Sequence, residues 1–151
     1  MAFEIRRIVT AHAANGKSTV GSDSVVRSQP GSMQPAISIA NLWINETLPP
    51  ELNGPDPTAK PFPMLPSNAG AVFRILELQP GTPPHMHKTA TIDYVVVTEG
   101  VLTMLLDDGT ELTLKPHDVL VQRATVHGWA NRGDVPCRFA TVVIDASTTR
   151  P

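Results

Sequence analysis

The chain has only one cysteine, Cys137, in 151 residues. One thiol cannot close an internal disulfide, so the fold is expected to rest on packing and to suit a reducing, cytoplasmic compartment. Long apolar runs are lacking too, and none approaches the roughly 20 residues of a membrane span. The opening stretch MAFEIRRIVT is charged and has no apolar centre, so no secretory signal is expected. Neither charge dominates: 12 Lys and Arg stand against 14 Asp and Glu, for a net charge of −2. Such a balance gives no reason to expect nucleic acid or an anionic membrane as partner. Apolar residues at helical spacing are missing over any useful length, which argues against a bundle.

What is present is punctuation. Fifteen prolines and ten glycines divide the chain into short segments, the mark of an all-β fold with many turns. In the first half, 4–10 (EIRRIVT) and 36–45 (AISIANLWIN) read as strands, and the remainder reads as irregular. The stretch NGKST at 15–19 mimics the end of a phosphate-binding loop. That motif's first glycine would fall at Ala11, so Asn15-Gly16 reads as a turn and no nucleotide cofactor is expected. Residues 49–68 hold seven prolines and no periodicity, and read as one long loop, a lid or an arm over a neighbouring subunit. The second half reads as strands at 71–78, 91–98, 101–106, 110–115, 118–123, 126–131 and 138–145, with a hairpin turn at 107–109 (DDG). Strands of this length and spacing imply a sandwich or small barrel, here one domain over 1–151 with its regular core at 71–145.

The residues fit for chemistry concentrate in HMHKTATIDYVVVTEG, 85–100. Side chains alternate faces along a strand, so His85, His87, Thr89, Thr91 and Asp93 share one face. His127 lies early in a later strand that a barrel would bring opposite them. Trp129 shares its parity and reads equally as pocket lining or core. His12 and His117 read as surface histidines, Arg123 as solvated, and Cys137 as a small core residue. Tyr94 falls on the opposite face. The apolar run Val95, Val96, Val97 suggests a strand covered on both sides, the outer cover being another subunit.

PGTPPHMHKTATIDYVVVTEG followed by LLDDGTELTLKPHDVLVQRATVHGWAN resembles the two motifs of the cupin superfamily, over roughly residues 71–145. The resemblance implies a double-stranded β-helix or jelly-roll barrel with an extended N-terminal arm, a metal held among three His and one Glu, and a homodimer. His127 with Asn131 fits the end of the second motif. Before it, His117, Gln122 and Ala124 take slots usually held by Gly, Pro and Gly, and the spacing is one residue short. The first motif allows two registers. Anchoring on His85-x-His87 supplies the family's histidine pair but breaks both flanking spacings. Anchoring on Gly81 and Gly100 leaves no gap, and sets His87, Thr89 and Asp93 at the slots of the first His, second His and Glu. In this favoured register His85 is an additional residue on the same face, a ligand only if the strand end curls inward.

The implied site is then His87, Asp93 and His127, with His85, Thr89 and Trp129 around a small-molecule pocket. Two His and one carboxylate suffice for a divalent metal such as Fe, Mn, Zn or Ni. Without a metal the same residues are acid–base groups. Three functions stay open: a lyase, dehydratase, isomerase or cyclase working by proton transfer, a non-haem Fe(II) oxygenase, and a non-catalytic ligand-binding cupin.

Overall fold

The computed structural model describes residues 2–32, 34–52, 54–59, 65–66 and 69–146. Their regular structure is eleven strands: β1 Glu4–His12, β2 Ser18–Arg27, β3 Gln29–Pro30, β4 Ile37–Asn45, β5 Ala71–Leu78, β6 Thr91–Glu99, β7 Leu102–Leu106, β8 Glu111–Leu114, β9 Val119–Arg123, β10 His127–Ala130 and β11 Cys137–Asp145. One 3-10 turn, Pro57–Ala59, is the only helical element among the described residues, and no helix there is long and apolar enough to cross a membrane. The all-β expectation holds, and seven strands of the second half fall within a residue of their expected ends. The long loop expected over 49–68 includes residues 53, 60–64 and 67–68, which lie outside the described residues.

The first half is more regular than its sequence suggests. Residues 18–27, read as irregular, form β2, which pairs with β1 in a hairpin. The turn expected at Asn15-Gly16 closes it: Gly16 takes a φ of 77°, and its N–H donates to the Ala13 carbonyl at 2.8 Å. Most of β2 is exposed and polar. Backbone pairing to β1 holds it rather than burial, so it shows little hydrophobic alternation. The base of this arm seats on the main body, where Phe3 packs with Ala40 and Leu42 of β4.

Six strands form one antiparallel sheet in the order β3-β4-β5-β11-β6-β9, and three form another in the order β10-β7-β8. The ladders do not join into a closed ring, so the barrel implied by resemblance is an open two-sheet structure. An antiparallel bridge between His87 and His127 ties the segment before β6 to β10. Inward side chains of both sheets build the core: Leu78, Val95, Val97, Leu102, Cys137 and Phe139. Cys137 is fully buried, and burial pushes its thiol up to about 11, which makes it an inert packing residue.

Two glycines permit close passes around the site strand. Gly100 ends β6 with a φ of 68°, and a Cβ there would stand 2.5 Å from the Pro136 carbonyl oxygen. Gly128 lets β10 run against the segment before His87, where a Cβ would meet Met86 Sδ at 2.7 Å. The outer cover expected from another subunit is not supplied by the single chain. Val95 and Val97 are buried, but Val96 is 38% exposed and Tyr94 45%. Among the described residues the apolar run is therefore covered on one side only.

Candidate active site

The segment leading into β6 and the start of β10 meet at the histidine bridge. The His87 N–H donates to the His127 carbonyl at 2.8 Å, and the His127 N–H donates back at 2.9 Å. Their ring centres stand 4.4 Å apart. This reciprocal pair fixes the rings by backbone geometry rather than by side-chain packing alone. His127 is 1% exposed, and Trp129 meets it edge-on at 5.2 Å. Trp129 also packs on Phe139 at 5.6 Å, so it serves as pocket wall and core together.

Both rings present the same nitrogen. His87 Nδ1 lies 2.9 Å from the His85 carbonyl oxygen. A carbonyl can only accept, so Nδ1 donates and Nε2 is left bare in the neutral ring. His127 Nδ1 lies 2.9 Å from the Thr125 carbonyl oxygen. The Gln122 amide nitrogen also stands 2.8 Å from that Nδ1 and 3.0 Å from the same carbonyl. A bare Nδ1 would accept from the Gln122 amide but face the Thr125 lone pair, and a protonated Nδ1 donates to that carbonyl but stands against the amide. We take the carbonyl bond as the one that sets the tautomer. Gln122 Oε1 accepts the Ala124 N–H at 3.1 Å, which orients the amide and locks the turn before His127.

Asp93 is 8% exposed and sits on the inward face of β6. Its Oδ1 is buried with no hydrogen-bond partner among the described residues, which is costly for a carboxylate and marks a site rather than a filler. Two residues back, Thr91 hydrogen-bonds the carboxylate, and the Thr89 hydroxyl lies 2.8 Å from the Thr91 hydroxyl. The expected single face of Thr89, Thr91 and Asp93 is therefore a linked row of polar groups. Burial pushes the Asp93 carboxyl above its ordinary 3.8, while the Thr91 bond and the charges of His127, Arg74 and His87 pull the other way. Burial draws His127 below its ordinary 6.5, and the Thr125 carbonyl opposes that shift.

These groups share one cavity of ≈ 350 Å³ with His85, Thr89, Trp129 and an apolar wall that includes Ile39, Leu76 and Val143. That size suits a small organic molecule. His85 lines the mouth with an exposed ring 6.0 Å from His87, and its carbonyl, not its imidazole, serves the site. Two lining or supporting residues went unread in the sequence. Arg74 is 6% exposed on β5 and borders the cavity. Its signal was a charge at an inward position between Val72 and Leu76. Gln122 is 2% exposed and pairs in register with Asp93, and its sequence signal was its place in a proline slot. His12, His117 and Arg123 are exposed, as expected.

The bare nitrogens and the orphaned carboxylate oxygen are ligand types that a metal would accept. Among the described residues, however, no three His, Cys, Asp or Glu side chains stand close enough together to hold an ion. Thr89, at the second histidine's slot, faces Thr91 instead. The donor set as arranged does not fit a resident metal.

A family model described as a cupin domain matches residues 74–144. The chain is 34% identical over 148 residues to the cupin-domain-containing oxidoreductase fogC of Aspergillus ruber, covering 93% of this chain and 72% of that one. Over 63 residues it is 48% identical to phomopsin biosynthesis cluster protein D of Diaporthe leptostromiformis, covering 42% of this chain and 33% of that one. Among solved structures, a putative ethanolamine utilization protein Q from Salmonella typhimurium superposes with a TM-score of 0.53 at 12% identity, covering 96% of this chain and 99% of that one. The chain belongs to the cupin family.

Proposed function

We propose that this cupin is an enzyme that moves a proton on a small oxygenated organic molecule held in its pocket, in the manner of an isomerase or dehydratase. The observation that carries the reading is the buried, unpartnered Oδ1 of Asp93 beside two imidazoles whose Nε2 atoms are bare. A proton taken from a hydroxyl or an activated C–H of the substrate resides on this cluster. It returns at a second position of the same molecule in an isomerisation, or to a departing hydroxyl in a dehydration. The apolar wall keeps water scarce, which strengthens each electrostatic contact inside.

The test follows solvent deuterium into a panel of small hydroxy-ketones and phenols by proton NMR. Wild-type protein is expected to exchange at least one compound, and Asp93→Asn to lower that rate by about 100-fold or more. An unchanged rate in the variant would remove Asp93 from the reaction. Because the donors do not converge on an ion, exchange is expected to survive exhaustive dialysis against EDTA. Loss restored by one equivalent of Fe(II), Mn(II), Zn(II) or Ni(II) would contradict this.

A second reading is favoured by the relatives: the A. ruber protein is named an oxidoreductase, and the D. leptostromiformis protein is named for a biosynthesis cluster. In that reading the same cluster takes the proton of a substrate oxidation. Net consumption of an electron acceptor with substrate would favour it over an isomerisation, which consumes none. A homodimer joined through the outer face of the six-stranded sheet completes the proposal, supported by the exposed Phe73, Tyr94 and Val121 there.

A further inference from the structure

Thr89 and Thr91 have no role in the proton transfer proposed above, yet their hydroxyls join Asp93 to the mouth of the cavity. Thr91 is 2% exposed and hydrogen-bonds the Asp93 carboxylate. Asp93 Oδ1 has no hydrogen-bond partner among the described residues, so that bond falls on Oδ2. The Thr89 hydroxyl lies 2.8 Å from the Thr91 hydroxyl. Thr89 is half-buried and borders the cavity next to Lys88, which is exposed. One strand face therefore carries an unbroken line of polar groups from a buried carboxylate to a solvated rim.

Backbone bonds hold that line in place. The Ala90 carbonyl accepts the Ala146 N–H at 3.0 Å, which ties down the chain just ahead of β6. The Thr91 carbonyl accepts the Ala124 N–H at 3.1 Å, and Thr91 pairs in register with Asp145 of β11. Both side chains are β-branched and so have few rotamers in which to lose the contact.

A hydroxyl donates one proton and accepts through its lone pairs. A carboxylate only accepts, so while Asp93 is ionised Thr91 donates to it and Thr89 donates to Thr91. Once Oδ1 has taken a proton, a half turn about the Cβ–Cγ bond presents that proton to Thr91. Both hydrogen bonds then reverse: Thr91 takes the Asp93 proton and passes its own to Thr89, which passes its own to water at the rim. At each hydroxyl one O–H bond forms and one breaks, and the net change is a proton moved from Asp93 to water. Arg74, His87 and His127 also face the carboxylate as charges. They set how firmly Asp93 holds its proton, whereas the hydroxyls give that proton a path.

We propose that Thr89 and Thr91 are a proton relay, the main route by which Asp93 trades its proton with solvent. This deepens, and rests on, the reading of Asp93 as the group that takes the substrate's proton. Both threonines act through Asp93 rather than on the reacting atoms.

The test needs no substrate. Carbon-detected relaxation dispersion of the Asp93 carboxyl, at its titration midpoint, reads how fast its proton exchanges. Thr89→Val removes the outer hydroxyl, keeps the shape and leaves the Thr91 bond to Asp93 intact. It is expected to slow the exchange about tenfold or more with the midpoint unmoved, and Thr89→Ser to keep the wild-type rate. Thr91→Val is expected to slow it as much and also to raise the midpoint, because a bond to the carboxylate is lost. A wild-type rate in Thr89→Val overturns the relay, as does a slow Thr89→Ser. Should the valine variants fail to fold, the wild-type rate is followed across mixtures of light and heavy water. A bowed dependence on deuterium fraction supports several protons moving together, and a straight line overturns the relay. Deuterium exchange into a substrate is a separate readout, so a failure here stands apart from a failure of Asp93 in the reaction.

Discussion

Asp93 and His127 oppose each other in how they hold protons, and that opposition can be read in stability. The folded-state pKa of Asp93 is raised, so its stabilising contribution is complete below 3.8 and is lost as pH rises through the folded value. At pH 7 the buried carboxylate is therefore a burden on the fold that its function requires. Asp93→Asn is expected to raise stability at that pH by roughly 1 kcal/mol, seen as a higher melting temperature in calorimetry, while abolishing exchange. His127 is the reverse case: its pKa is lowered, so its contribution is complete above 6.5 and is lost as pH falls through the folded value. His127→Asn is expected to flatten the loss of stability below pH 6.5, whereas a slope equal to that of the wild type would show that His127 is not held neutral by burial. The members of this site were legible as types and spacing, since parity placed Asp93 and Thr89 on one face. Which nitrogen each histidine offers was not, because it depends on carbonyls at His85 and Thr125 whose direction no residue type encodes.

At the scale of the element, the turns carry the chain's departures from its family. His117 and Ala124 occupy slots that glycine usually holds, and both adopt positive φ, 76° and 52°. The turns have thus kept the left-handed backbone and accepted a Cβ in it, at a cost of about 1 kcal/mol each. His117→Gly and Ala124→Gly are each expected to recover part of that cost, roughly 0.5 kcal/mol or more by urea denaturation. At Gly100 the opposite holds, because the Pro136 carbonyl and the positive φ leave no room for a side chain. Gly100→Ala is expected to cost about 3 kcal/mol. Strands of the second half were readable because each buries one face and so alternates, as β11 does over Cys137–Asp145. β2 was missed because its partner is a hairpin strand rather than a core, and backbone pairing leaves no hydrophobic signature.

Across the whole molecule, one sheet face builds the pocket, and the other carries exposed apolar side chains beside the seat of the arm. Along the outer face Trp43, Phe73, Val142, Tyr94 and Val121 succeed one another in register across five strands. An apolar row of that width suits a docking surface, and we infer that a second copy covers it. Light scattering is expected to give twice the 16.2 kDa chain mass, and Tyr94→Lys with Val121→Lys to give the monomer. A wild-type monomer at micromolar concentration would contradict this. The inner face concerns the central claim, that the fold keeps a carboxylate buried and poised beside two histidines with bare Nε2. Carbon-detected NMR of the Asp93 carboxyl across pH, read with the ring nitrogens of His87 and His127, tests it most directly. The account predicts an Asp93 midpoint above 3.8 and protons on both Nδ1 atoms at neutral pH. An Asp93 that titrates at or below 3.8, or a His127 that carries its proton on Nε2, would contradict it.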